Sequence, residues 1–101
     1  MSVSILLRVL LAWLAVSGSV MAGETKELTL AVYSVPKEAY ERTIIPAFQR
    51  QWKQRTGQDI RIRSSYGASG AQARAIIGGF EADIAVLSLE GDLDQIAKAG
   101  L

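Results

Sequence analysis

The residues best suited to chemistry lie in one short stretch, Ser65-Tyr66-Gly67-Ala68-Ser69-Gly70-Ala71-Gln72. Gly67 and Gly70 let the backbone approach a ligand closely, and Ser69 stands where a helix should begin. Three chemistries fit these atoms. Ser69-Gly70-Ala71-Gln72 matches an S-x-x-Q capping box, in which Ser69 caps a backbone amide and Gln72 reaches back. The same helix start offers unpaired N–H groups, the positive end of the helix dipole and a hydroxyl donor, which suit an anion. Gly67-Ala68-Ser69-Gly70-Ala71 also approaches the G-x-S-x-G nucleophile elbow, although Ala71 replaces its last glycine. The chain has no His to activate Ser69. No Asp or Glu lies between Asp59 and Glu81, so nothing acidic nearby in sequence repels an anion. Arg61 and Arg63 share one strand face and are expected to be solvated, and Arg74 falls too far into the helix to join its N-terminus.

Composition removes other classes of function. The chain has 101 residues, 11 Lys and Arg against 10 Asp and Glu, and neither Cys nor His. A disulfide framework and a Cys-based metal site are excluded, and the commonest metal ligand and general base are missing. No basic run points to a nucleic acid. Neither the phosphate-loop pattern nor the dinucleotide fingerprint occurs, so no cofactor is expected. Glu90, Asp92 and Asp94 lack the Gly and distal Glu of a calcium loop and read as helix N-terminal charge.

The elements that must position the candidate loop begin after an export signal. Residues 1–22 carry Arg8, the apolar run Val9–Val16, a Ser17-Gly18-Ser19 break and the small-residue site Val20-Met21-Ala22. This is the layout of a cleavable signal peptide, and the stretch between Arg8 and Glu24 is too short and too interrupted for a membrane span. From Leu28 onward short apolar runs alternate with helical periods. Leu28–Tyr33 reads as a buried strand and Lys37–Thr56 as a helix with Tyr40, Ile44, Phe48 and Trp52 along one ridge. Pro46 predicts a kink near Ile44-Ile45, and Gly57 a helix stop. Asp59–Ser64 alternates like an edge strand, and Ser69–Gly78 reads as a helix with Ala73, Ile76, Ile77 and Phe80 inward. Asp83–Leu89 reads as a central parallel strand and Asp92–Ala99 as a last helix. The succession is βαβαβα, an α/β parallel sheet with right-handed crossovers. Ligands of such sheets bind beyond the carboxyl ends of the strands, here the loops Ser34-Val35-Pro36, Ser65–Gly70 and Glu90-Gly91-Asp92. Trp52 and Phe48 are expected in the core.

Several stretches resemble the periplasmic sulfate-binding proteins of bacterial ABC importers. They are Leu28–Tyr40 (LTLAVYSVPKEAY), Ala47–Gly57 (AFQRQWKQRTG), Ser65–Gln72 (SYGASGAQ), Phe80–Leu89 (FEADIAVLSL) and Asp92–Ala97 (DLDQIA). The patterns W-K-x-x-T-G, G-x-S-G-x-Q and E-A-D-[IV] are jointly specific. The resemblance implies the two-lobed periplasmic-binding-protein fold, with residues 23–101 as the amino-terminal part of its first lobe. It implies a dehydrated sulfate held by helix N-terminal amides, a Ser hydroxyl and a Trp indole, with no enzymatic activity. Ser69 matches the sulfate-contacting Ser of the G-x-S-G loop. Val35 matches a backbone N–H donor at the first strand end that is an Asp in familiar members, so a side-chain role is lost there. Gly67 and Gly70 complete the expected contacts, and Trp52 matches a helix Trp rather than the ligand-holding indole. ABC permease subunits are the implied partners of a monomer that captures sulfate or a related tetrahedral oxyanion in the periplasm.

Sulfate accepts hydrogen bonds only, whereas monohydrogen phosphate prefers a site with an acceptor. A loop free of carboxylates therefore favours sulfate, and thiosulfate is not distinguished from it. The alternative from another class is an exported α/β hydrolase with Ser69 as nucleophile. Three parallel strands bury little core. This 101-residue product is therefore expected to be poorly folded alone and to bind no sulfate, whereas a cooperative melt protected by sulfate would contradict that.

Overall fold

The computed structural model describes residues 25–101. The expected signal peptide lies outside these residues. Strand β1 (Lys26–Tyr33) leads through a short turn into helix α1 (Lys37–Ala39), a π-helical turn (Tyr40–Ile44) and helix α2 (Ile45–Thr56). Strand β2 (Ile60–Gly67), helix α3 (Ser69–Ile77), strand β3 (Ile84–Val86) and helix α4 (Glu90–Lys98) follow. The three strands form one parallel sheet in the order β2-β1-β3. The expected α/β alternation with a parallel sheet is what the chain forms.

β1, not β3, is the central strand, because it alone is paired on both sides. Its run Leu30-Ala31-Val32 is buried accordingly, with Ala31 and Val32 fully enclosed. Burying a Val side chain in this way is worth about 1.5–3 kcal/mol. β3 is far shorter than the apolar run Asp83–Leu89 predicts and pairs only Ile84, Ala85 and Val86 with Leu30, Ala31 and Val32. Asp83 enters differently. Its N–H donates to Thr29 O and its Oδ2 accepts from Thr29 N–H, both at 2.8 Å, so a side chain closes the rung that a strand residue would have made. β2 is longer than its alternating pattern suggests, since Ser65, Tyr66 and Gly67 pair with Ala31, Val32 and Tyr33 instead of forming a loop. Ile60 is buried and Ile62 half-buried, while Arg61 and Arg63 are exposed on the other face as expected. Arg63 Nε lies 3.0 Å from Glu27 Oε1 on β1.

Pro46 explains the π-helical turn. In a regular helix its ring would collide with the carbonyl of Arg42, and it has no N–H to donate there. The backbone instead takes in one extra residue, and Ile45 N–H donates five residues back to Tyr40 O. Tyr40, Ile44 and Phe48 of the ridge read from the sequence still line one apolar hollow, but the buried core takes Ile45 in place of Ile44. Ile45 goes into the core beside Leu30 and Val32, while Ile44 is 47% and Phe48 37% exposed. Phe48 packs on Trp52 with ring centres 6.0 Å apart, outside the buried core. Helices and sheet leave an apolar hollow of about 220 Å³ lined by Leu28, Leu30, Tyr40, Ile44, Ile45, Phe48, Ile62, Ile84 and Val86.

α2 stops at Gly57, which takes a left-handed φ of 74° and donates its N–H to Lys53 O at 2.9 Å. Nothing lies within 4 Å of a Cβ built there, so only the backbone conformation requires glycine. Gly57→Ala should therefore cost about 1 kcal/mol in the urea unfolding of the full-length protein, with Gly57→Asn costing less.

Candidate functional site

Because β1 and β2 run parallel and Tyr33 is paired with Gly67, the two strands end level. Val35 and Ser69 each stand two residues past that shared end. The turn after β1 is closed by Lys37 N–H on Ser34 O (3.2 Å) and by Tyr40 N–H on Pro36 O (3.0 Å), which leaves the Val35 N–H outside the turn's own bonds. The Val35 side chain is 86% exposed.

Ser69 begins α3, but it does not cap it. The N-cap is Ala68, in an extended conformation and without a side-chain cap. The capping box is therefore not formed, and both of its members do something else. Ser69 is buried, and its Oγ accepts the N–H of Ser88 at 3.2 Å, which ties the start of α3 to the segment after β3. An oxygen that accepts this bond keeps its own O–H proton to donate. Gln72 is also buried. Its Nε2 donates to Val32 O at 3.1 Å and to Ser65 O at 2.9 Å, on two adjacent strands. The inward face of α3 is thus Ser69, Gln72 and Ala73; Ile76 is half-buried and Ile77 exposed, contrary to the apolar face expected.

The first N–H groups of α3, beginning with Ser69 and Gly70, have no carbonyl within their own helix to receive them. They lie just past the carboxyl end of β2, beside the Ser69 hydroxyl. Gly67 and Gly70 are not glycine for the sake of a left-handed backbone, since the positive-φ glycines of the described residues are Gly57, Gly79 and Gly100. Space matters at Gly70, where a Cβ would lie 3.3 Å from Arg74 Nη1 and 3.7 Å from Asp92 Oδ1. At Gly67 it would make only ordinary contact, 3.7 Å from Gln72 Nε2.

Asp92 corrects the reading of a loop remote from carboxylates. Glu90-Gly91-Asp92 is not a loop but the first turn of α4, and that turn carries Asp92 up to Gly70. Its Oδ2 is buried without a hydrogen-bond partner among the described residues. The preference for sulfate over phosphate that rested on a missing acceptor therefore has no support in the fold. Sequence spacing hid this neighbour, because Asp92 and Gly70 belong to different crossovers. Ser88 was missed for the same reason, and nothing in its local sequence marks it.

Tyr66, placed by the sequence in the loop, is a β2 residue. Its hydroxyl donates to Glu41 Oε1 at 2.6 Å, and Lys37 Nζ lies 5.5 Å from its ring centre. These contacts bind the turn after β1 to the end of β2. No nucleophile–base pair is assembled around Ser69 from these residues, since its neighbour is a backbone N–H and the sequence holds no His.

The parallel sheet brings the turn after β1 and the start of α3 to its carboxyl edge, where ligands of such sheets bind. The chain belongs to the bacterial extracellular solute-binding protein family, whose pattern matches residues 28–101. Among its relatives, the sulfate-binding protein of Synechococcus elongatus is 53% identical over 85 residues, covering 84% of this chain and 24% of that protein. The thiosulfate-binding protein of Pseudomonas aeruginosa is 36% identical over 91 residues, covering 90% of this chain and 26% of that one. In structure the chain resembles the sulfate-binding protein SubI of Mycobacterium tuberculosis, with a TM-score of 0.65 and 35% identity over 74% of this chain and 25% of SubI. The chain thus spans about a quarter of the length of the relatives it matches.

The Tyr66 phenol is pushed above its ordinary value of 10.0, first by partial burial and then by its hydrogen bond to the Glu41 carboxylate. The fold favours the neutral phenol, so this stabilisation is complete below the ordinary value and is lost as pH rises through the raised one. The tyrosinate absorbance difference between the parent and Tyr66→Phe should accordingly show a midpoint above 10.0.

Proposed function

We propose that this chain belongs to an exported binding protein that captures sulfate and delivers it to an ABC permease in the inner membrane, without performing chemistry on it. Residues 1–22 are the cleaved export signal, and residues 23–101 supply the amino-terminal part of the first of two lobes. The protein works as a periplasmic monomer. Thiosulfate is the competing ligand, since one relative is named for it.

The reading rests on the Ser69 hydroxyl. Its oxygen is engaged by the Ser88 N–H, so its proton is available to an acceptor at the carboxyl edge of the sheet. Amides of Ser69 and Gly70 at the start of α3 and the Val35 N–H past β1, with Gly67 at the end of β2, complete the proposed contacts. The amides and the hydroxyl are uncharged donors suited to a tetrahedral oxyanion, and sulfate is taken from the relatives named for it, since Asp92 lies beside Gly70. Val35 contributes only its backbone, and a hydrophobic side chain there is compatible with that role.

Two chemistries separate this reading from hydrolysis by Ser69. A binding protein should show stoichiometric sulfate uptake by titration calorimetry and no turnover of ester substrates. In the full-length protein, Ser69→Ala should weaken sulfate binding by about 1–3 kcal/mol, the cost of one buried hydrogen bond. Unchanged affinity in that variant would remove Ser69 from the site.

A further inference from the structure

We infer that Gln72 is a positioning residue for the anion site: its buried side-chain amide fastens the first turn of α3 to the ends of β1 and β2 and so pre-sets the Ser69 donors. This rests on the sulfate-binding reading and names a residue that acts without touching the ligand.

The chemistry of its partners determines the orientation of the amide. Val32 O and Ser65 O can only accept, so the NH₂ end of Gln72 must face them, and both of its protons are used. The residue is 4% exposed, and no donor is left for a ligand. Its Oε1 lies 3.5 Å from Ser65 Oγ, which donates to it.

Gln72 stands one helical turn after Ser69, on the same inward face of α3. The two side chains tether that turn to β1, β2 and the segment after β3. Gln72 holds the carbonyls of β1 and β2, and Ser69 holds the N–H of Ser88 just past β3. A helix start held in this way keeps its donors in place before a ligand arrives, and binding need not pay for ordering them. The residue type is demanded by the geometry. Glutamate would set a carboxylate against two carbonyl oxygens, and asparagine is one methylene too short to reach both.

The test is sulfate titration calorimetry on the full-length parent, Gln72→Met and Gln72→Glu between about pH 5 and 8, with a thermal melt of each protein to count the folded fraction. Sulfate remains a dianion throughout, so the parent affinity should be flat. Gln72→Met, of similar length but with no donor, should lose about tenfold in affinity at every pH, the scale of one buried hydrogen bond. Gln72→Glu should lose more at neutral pH and recover as pH falls. Burial against carbonyls raises its carboxyl pKa, and the neutral acid restores one donor. A residue important only for stability would shift the melt without giving the affinity of the folded protein this pH dependence. Should Gln72→Met fail to fold, Gln72→Glu at the acid end carries the comparison, because it retains a donor. Variants that bind as the parent does at all pH values overturn the positioning role alone. A parent that binds no sulfate overturns the sulfate reading and this inference with it.

Discussion

The level ending of β1 and β2, set by the pairing of Tyr33 with Gly67, is the constraint on which the rest of the site depends. Parallel strands joined by helical crossovers deliver every following segment to the same edge of the sheet. The turn holding Val35 and the first turn of α3 therefore emerge side by side, although more than thirty residues separate them in sequence. A register slip of one residue would turn the faces of β2 over, exposing Ile60 and Ile62 and burying Arg61 and Arg63. The hydrophobic alternation that protects the core thus also aligns the candidate donors.

Polar side chains then secure this edge in place of apolar packing. Gln72 and Ser69 occupy the buried face of α3 where an apolar stripe was expected, and each satisfies a backbone group at the end of a strand. Tyr66 and Glu41 make a further link from β2 to the start of the first helical segment. Strand ends have backbone groups with no remaining ladder partner, and leaving them unpaired in a buried place costs more than one ordinary hydrogen bond contributes. The side chains at this edge therefore have structural work that also holds any ligand-binding amide still. Asp92 is brought to Gly70 by the last crossover and sets a carboxylate beside the start of α3.

The places where the sequence pattern and the fold diverge share a cause. Periodicity reads a helix as an unbroken cylinder, so Pro46 predicts a disturbance but not which residue turns inward after it. The π-helical turn decides that, by burying Ile45 and leaving Ile44 and Phe48 partly exposed at the rim of the apolar hollow. The end of β2 was hidden because Ser65, Tyr66 and Gly67 have no apolar alternation; their strand conformation comes from pairing with β1. β3 was overestimated because Leu87 and Leu89 continue an apolar run after pairing with β1 has stopped.

What the sequence determined by itself was the order of elements, the parallel α/β class, the stop at Gly57 and the strand-to-helix junction at which Ser69 and its glycines lie. These follow from local spacing, from the fixed φ of proline and the free φ of glycine, and from the need of apolar faces to leave water. The tertiary structure alone decided what the polar residues at that junction do. Ser69 meets Ser88, Gln72 meets Val32 and Ser65, and Gly70 meets Asp92 only after the crossovers are made. Hydrogen bonds between residues distant in the chain leave no periodic trace, because each depends on the position of a second segment and not on the spacing of the first.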